Sequence, residues 1–386
     1  MRRVVVTGMG VVAPNGVGQR AFGEALKKGT SAVAPLSRFS LGTRRRFLAA
    51  EIPPHLFSLN GLDRHITYGL MAVQEALRTS GLSIISPDVE GFGIVFSSSK
   101  GGMESFEKGI TPALMEQFPT SSVSAEILRH YPFRGPALNI VSACATGTDT
   151  IIRGAQLILD GHTSLVLAGS SDASMTPLLL SGYAQMGVLS QEGIFPFDRR
   201  RNGFVIGEGA AAFILEEREH AFRRGASVCG EIVGYAMGQD PFHPLRFNPN
   251  DECLARVLNL ALSRARLSPD ELDYINAHGT ATVAGDLYET NQLKRAFGER
   301  AYSIPVSSTK SMIGHLLGAS GAVEFAACLL ALQEGFLPPT ANLYEKDPEC
   351  DLDYVPNTAR AQRISTALSI SMGFGGHIGV IVVRKP

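Results

Sequence analysis

Apolar residues fall along this chain in short buried runs and in helical stripes, and the two alternate. Arg3 to Thr7 reads as a buried strand ending in a glycine turn, Gly8-Met9-Gly10. Ala21 to Leu26 and Thr67 to Leu77 carry helical periodicity, and Gly93 to Phe96 reads as a strand running into the polar turn Ser97-Ser98-Ser99-Lys100-Gly101-Gly102. Residues 109–131 show no strand pattern and read as helix and loop covering a face. The apolar run Leu138, Ile140, Val141 precedes a helix in which residues 151, 155, 158 and 159 form one stripe. Strands follow at Leu165 to Ala168 and Ala211 to Leu215, then a charged helix from Glu216 to Arg224.

Around Gly225 the pattern restarts. Strands are expected at Cys229 to Tyr235, Leu272 to Asn276 and Pro305 to Ser307, with helices at Glu252 to Ala265 and Leu287 to Phe297. One long helix is expected from Ile313 to Leu332, and strands at Ala367 to Ile370 and Ile378 to Val383 close the chain. Strands alternating with helices imply an α/β fold with a mainly parallel sheet. The same order in both parts suggests an internal duplication, with halves at 1–225 and 226–386. No low-complexity linker separates them, so they should pack as one body.

Composition narrows the function. The chain has 386 residues, too many for one ordinary core. Its formal net charge of −1 argues against a dedicated nucleic-acid binder. Five scattered cysteines without a C-x-x-C pair suggest neither a disulfide framework nor a zinc site, and fit a reducing cytoplasm. The start breaks at Gly8 and Gly10 and makes a poor signal peptide. Nothing approaches 18 consecutive apolar residues, so no membrane span is expected.

Chemistry concentrates in three turns. Cys144 lies between strand and helix, flanked by Ala143, Ala145 and Gly147, as in a nucleophile elbow. A helix dipole there favours the thiolate, although free cysteines are also often merely buried. His278 follows a strand end, where open α/β sheets bind ligands. His315 follows Lys310 in a glycine-rich helix start. A thiol and two imidazoles fit a cysteine hydrolase, an acyl-transfer site or a metal site; no carboxylate or second thiol at ligand spacing supports the last.

The ordered motifs VTGMGVV, SACATG, FPFDRRRNGFVIGEGA, NAHGTAT-x-x-GD, SSTKSMIGHLLGASGAVE and GFGG resemble the β-ketoacyl-acyl carrier protein synthases from about residue 2 to the C-terminus. The resemblance implies a thiolase-like fold, two pseudo-repeated halves in five α-β-α-β-α layers, usually dimeric, as homodimer or heterodimer. It implies a decarboxylative condensation of an acyl thioester with malonyl-acyl carrier protein, in fatty acid or polyketide biosynthesis. No cofactor or metal is called for. Cys144 would take the acyl chain, and His278 and His315 would serve decarboxylation. Lys310 and Glu324 would orient and charge-balance the second histidine, His315. Phe374 would gate the acyl pocket, its N–H joining that of Cys144 in an oxyanion hole. Thr280 and Thr282 would bind the phosphopantetheine arm, with Gly375 beside them.

The chain departs from the family where NSFGFGGTN is usual. Ile370, Met372, His377 and Ile378 replace its asparagine, phenylalanine, threonine and asparagine, so the loop's hydrogen bonds must be rearranged. Residues 101–135 also match poorly. Carrier proteins are acidic, which makes Arg64, Arg199, Arg200 and Arg201, and Arg44 to Arg46, candidates for a docking surface. The alternatives are a polyketide-type ketosynthase working on an unusual primer or with a heterodimer partner, and a chain-length-factor-like subunit without activity, which would lack the cysteine.

Overall fold

The computed structural model describes residues 2–42, 46–83, 91–109 and 111–386. The first strand, β1 (Val4–Ala13), runs straight through the expected glycine turn. Gly8 and Gly10 are needed for close approach: a Cβ would lie 2.2 and 1.9 Å from the carbonyl oxygens of Ala76 and Ala72. Those carbonyls belong to helix α1 (Arg64–Ser80), which lies across β1.

The first half continues with β2 (Gly93–Ser97), β3 (Ala137–Leu138), α2 (Thr146–Leu159), β4 (Leu165–Asp172) and β5 (Gly209–Glu217). The second half supplies β6 (Gly230–Gln239), α3 (Cys253–Ala265), β7 (Tyr274–Asn276), α4 (Val283–Phe297) and β8 (Val306–Ser307). It ends with α5 (Ser320–Glu334), β9 (Thr366–Gly373) and β10 (His377–Arg384). Strand order is β8-β7-β9-β10-β6-β1-β5-β4-β2-β3, with Gly16–Val17 paired to the end of β1.

This order corrects the mainly parallel sheet. Pairing is antiparallel through the centre, β4-β5-β1-β6-β10-β9, and parallel only toward the two ends. The sequence carried a sign of this: the turn between β9 and β10 is short, and strands joined so must run antiparallel. Starting from the β1–β6 seam, each half has the same succession of two antiparallel and two parallel pairings.

Helices make the layers. α1 covers β1 and β5 outside, α3 covers β6 and β10 outside, and α2 and α5 lie between, each touching strands of both halves. The expected five layers are present. The two central helices cross at glycines: a Cβ at Gly147 would meet the Ala322 nitrogen at 2.6 Å, and one at Gly321 the Thr148 nitrogen at 2.9 Å. Among the described residues, Leu317–Glu334 is the one helical stretch long and apolar enough to cross a membrane, and 89% of it is buried inside the molecule.

Two other expectations change. The apolar run before Cys144 forms a strand only at Ala137–Leu138. Beyond it the Asn139 amide donates to Ser97 Oγ at 3.1 Å and the Thr120 carbonyl at 3.0 Å, which turns Val141 outward. The long helix from Ile313 is broken. Gly314 has φ +72, and His315 bridges to Ile206, its N–H donating to the Val205 carbonyl at 2.7 Å. The helix restarts at Ser320.

Candidate active site

Cys144 lies in a tight turn, Ala143–Ala145, at the head of α2, with Ala143 forced to φ +49. The corresponding turn before α5, Leu317–Ala319, has φ +52 at Leu317. These paired turns bring the two central helix starts together. His315 Nε2 lies 3.2 Å from Cys144 Sγ, and its Nδ1 lies 2.9 Å from Ser320 Oγ. The Phe204 ring stands edge-on to His315 at 5.1 Å and fixes its plane.

His278 completes the group, its ring 5.4 Å from that of His315 and nearly perpendicular. Its backbone is set by α4, a feature missed in the sequence: Glu289 accepts the N–H groups of His278 and Gly279 at 2.7 and 2.8 Å. One turn earlier, Asp286 accepts those of Phe197 and Ala281 at 2.8 and 3.0 Å. Burial pushes both carboxyls up to about 7, against the N–H groups that favour their charged forms. Two acids at i, i+3 on a helix after the HGT turn were the available signal.

Lys310 and Glu324 form a fully buried ion pair. The ammonium serves the other histidine from the one expected: Nζ lies 3.4 Å from Nδ1 of His278, while Nδ1 of His315 is taken by Ser320. An ammonium only donates, so Nδ1 of His278 accepts and its proton sits on Nε2. Burial, then Lys310, holds both imidazoles well below their usual range. Both rings are therefore neutral at pH 7.

The thiol differs from expectation. Burial pushes Cys144 up to about 11, against the pull of Lys100 and Lys310 and a hydrogen bond from the Phe374 backbone. A helix dipole is worth about 0.3–1 kcal/mol at a surface and does not offset removal from water. The resting group is a thiol, with an imidazole in place to accept its proton.

Cys144, His278 and His315 share one cavity of about 630 Å³ with Thr280, Thr282 and Phe374. The two threonine hydroxyls lie 3.1 Å apart. Met372 lines the cavity, and Ile370 and Ile378 are buried. Gly375 does not reach it: its N–H donates to the Pro244 carbonyl at 2.8 Å. The rearranged loop is held instead by Asp240, whose N–H donates to the Gly376 carbonyl at 2.9 Å.

Family models for the N-terminal and C-terminal domains of β-ketoacyl synthases match residues 1–221 and 229–344. The chain belongs to the β-ketoacyl synthase family. The synthase is 37% identical to the tetracenomycin polyketide synthase ketoacyl synthase alpha subunit of Streptomyces glaucescens, across 100% of this chain and 97% of that one. It is 37% identical to 3-oxoacyl-acyl-carrier-protein synthase 2 of Coxiella burnetii, across 100% of this chain and 99% of that one. It superposes with TM-score 0.93 and 33% identity on a ketosynthase structure described as a type II PKS acyl-carrier protein in complex with its ketosynthase bound to the hexaketide, covering 100% of this chain and 99% of that one. It is an acyl-transferring condensing enzyme with a thiolase-like fold.

Three of the arginines expected to dock a carrier are already paired. Arg64 Nε lies 3.0 Å from Glu104 and the guanidinium covers the Phe57 ring. Arg200 is held by Asp198 at 2.9 Å, and Arg201 is buried against Asp347. Carboxylates neutralise these groups, which the linear arrangement did not show. Arg199 and Arg46 are exposed; Arg44 and Arg45 lie outside the described residues.

Proposed function

We propose that this synthase condenses an acyl chain carried on Cys144 with malonyl-acyl carrier protein, releasing CO₂ and a 3-oxoacyl-acyl carrier protein two carbons longer. What supports this most is the sulfur 3.2 Å from one neutral imidazole, with a second imidazole perpendicular to it in the same cavity. In the first step the Cys144 thiol gives its proton to Nε2 of His315 and attacks the acyl thioester; the arm leaves as a thiol, taking the proton. In the second step the malonyl carboxylate leaves as CO₂, and its electron pair passes to the thioester oxygen. The Nε2–H of His278 stabilises that oxygen, joined by His315 once its one proton has moved from Nδ1 to Nε2 with Nδ1 accepting from Ser320. The carbanion meanwhile attacks the acyl carbonyl and frees Cys144 as a thiolate that takes up a proton from solvent. Each such donor is worth about 10²–10³ in rate.

The Cys144 and Phe374 N–H groups serve as the oxyanion hole, and Phe374 gates the acyl side. Thr280 and Thr282 hold the pantetheine arm. Lys310, balanced by Glu324, sets the tautomer of His278. Among the described docking candidates, Arg199 and Arg46 are the exposed ones for an acidic carrier. The halves divide at 225, the cytoplasm is the compartment, and the assembly is a dimer.

Incubation with malonyl carrier protein and a panel of acyl carrier proteins, read by mass spectrometry, tests the reading. The expected product is the carrier-bound β-ketoacyl chain, lost in Cys144→Ala. His278→Ala should leave Cys144 acylated and unable to condense. Release of free acid, or near wild-type condensation by His278→Ala, would overturn it.

A further inference from the structure

With its histidines neutral, the cavity lining carries one formal charge among the described residues, that of Arg246. Arg246 is exposed while Cys144 is buried, so the cation lies on a solvent-facing part of the cavity lining and the sulfur deep within it. Its guanidinium has no hydrogen bond or ion pair with any other described residue. The contrast with Arg38, Arg64, Arg200 and Arg201, each held by carboxylates, is direct.

The loop presents this residue in a defined place. The Asp240 carboxylate accepts the N–H groups of Phe242 at 3.0 Å and Asn248 at 2.7 Å, closing the segment on itself. Pro244 accepts from Gly375, tying the same segment to the turn that carries Phe374. Thr280, Thr282 and Asn291 add neutral polar groups to the lining.

We propose that Arg246 binds the phosphate of the carrier-borne phosphopantetheine arm at this solvent-facing part of the cavity. The inference rests on the condensing reading above. A guanidinium pairs with phosphate through parallel N–H donors, and such charge-assisted bonds exceed neutral ones. Recognition of the arm then comes from its own anion rather than from the carrier's acidic surface.

The test compares acylation of Cys144 by an acyl-pantetheine and by the same acyl-phosphopantetheine, followed by mass spectrometry. Wild type should favour the phosphorylated arm about tenfold in kcat/KM, a preference that weakens with salt. In Arg246→Gln the loss should fall about tenfold more heavily on the phosphorylated arm, and Arg246→Lys should lie between. The same selective loss should recur with the acyl carrier protein. Equal use of both arms by wild type would overturn the proposal. So would an equal loss on both arms in Arg246→Gln, or a loss seen with acyl-coenzyme A but absent with the carrier. Turnover of the unphosphorylated arm keeps failure here distinct from failure of the condensing reading.

Discussion

At the scale of single residues, burial governs the chemistry. Taking a group out of water favours its neutral form, and here it acts on a thiol and two imidazoles at once. The thiol is pushed up to about 11, so at pH 7 only about one part in 10⁴ is thiolate. Raising the pH populates the reactive form. Alkylation of Cys144 by iodoacetamide should therefore rise about tenfold per pH unit between pH 7 and 10 and level off near 11. A plateau already reached by pH 8 would mean that the surrounding cations outweigh burial. Enzymatic acylation is not limited in this way, because His315 accepts the proton as the bond forms.

At the scale of elements, helix α4 positions His278 without touching the cavity's sulfur. Glu289 uses one carboxylate oxygen for each of two backbone N–H groups. A glutamine supplies one acceptor and sets its NH₂ against the other N–H. Glu289→Gln should cost about 1–3 kcal/mol of stability, read as a lower unfolding midpoint. It should also slow condensation while leaving Cys144 open to acylation. Equal loss of both steps would show that α4 acts on the whole site rather than on His278.

The elements were largely legible in the sequence. Helices α1 to α5 and the long strands lie where periodicity places them, since each buries a face whose spacing is written locally. What misled was glycine. Gly8 and Gly10 read as a turn, yet they remain in a strand because α1 presses its carbonyls onto them. Gly314 and His315 read as helix, yet a backbone bridge to Ile206 takes their place in the pattern. Both outcomes depend on residues far away in the chain, and local pattern does not carry them.

At the scale of the whole molecule, the site exists because α2 and α5 cross closely enough to set their leading turns side by side. Gly147→Ala would drive a Cβ to 2.6 Å from the Ala322 nitrogen and 3.0 Å from the Gly318 carbonyl oxygen, both backbone atoms. The helices must then separate. A destabilisation of about 1–3 kcal/mol is expected in denaturant unfolding, together with slower acylation as Cys144 and His315 draw apart. Unchanged stability and acylation would show that the crossing absorbs a methyl group.

The sequence by itself determined the inventory: a thiol, two imidazoles, a lysine and an acid in recognisable turns, and the order of elements carrying them. Those depend on neighbours within a few residues. Only the tertiary structure decided that Lys310 faces His278 rather than His315, that the thiol rests protonated, and that Arg64 and Arg200 are neutralised while Arg246 is left unpaired among the described residues. Each of these is set by distance and by exclusion of water between segments far apart in the chain, and neither quantity exists until the chain has folded.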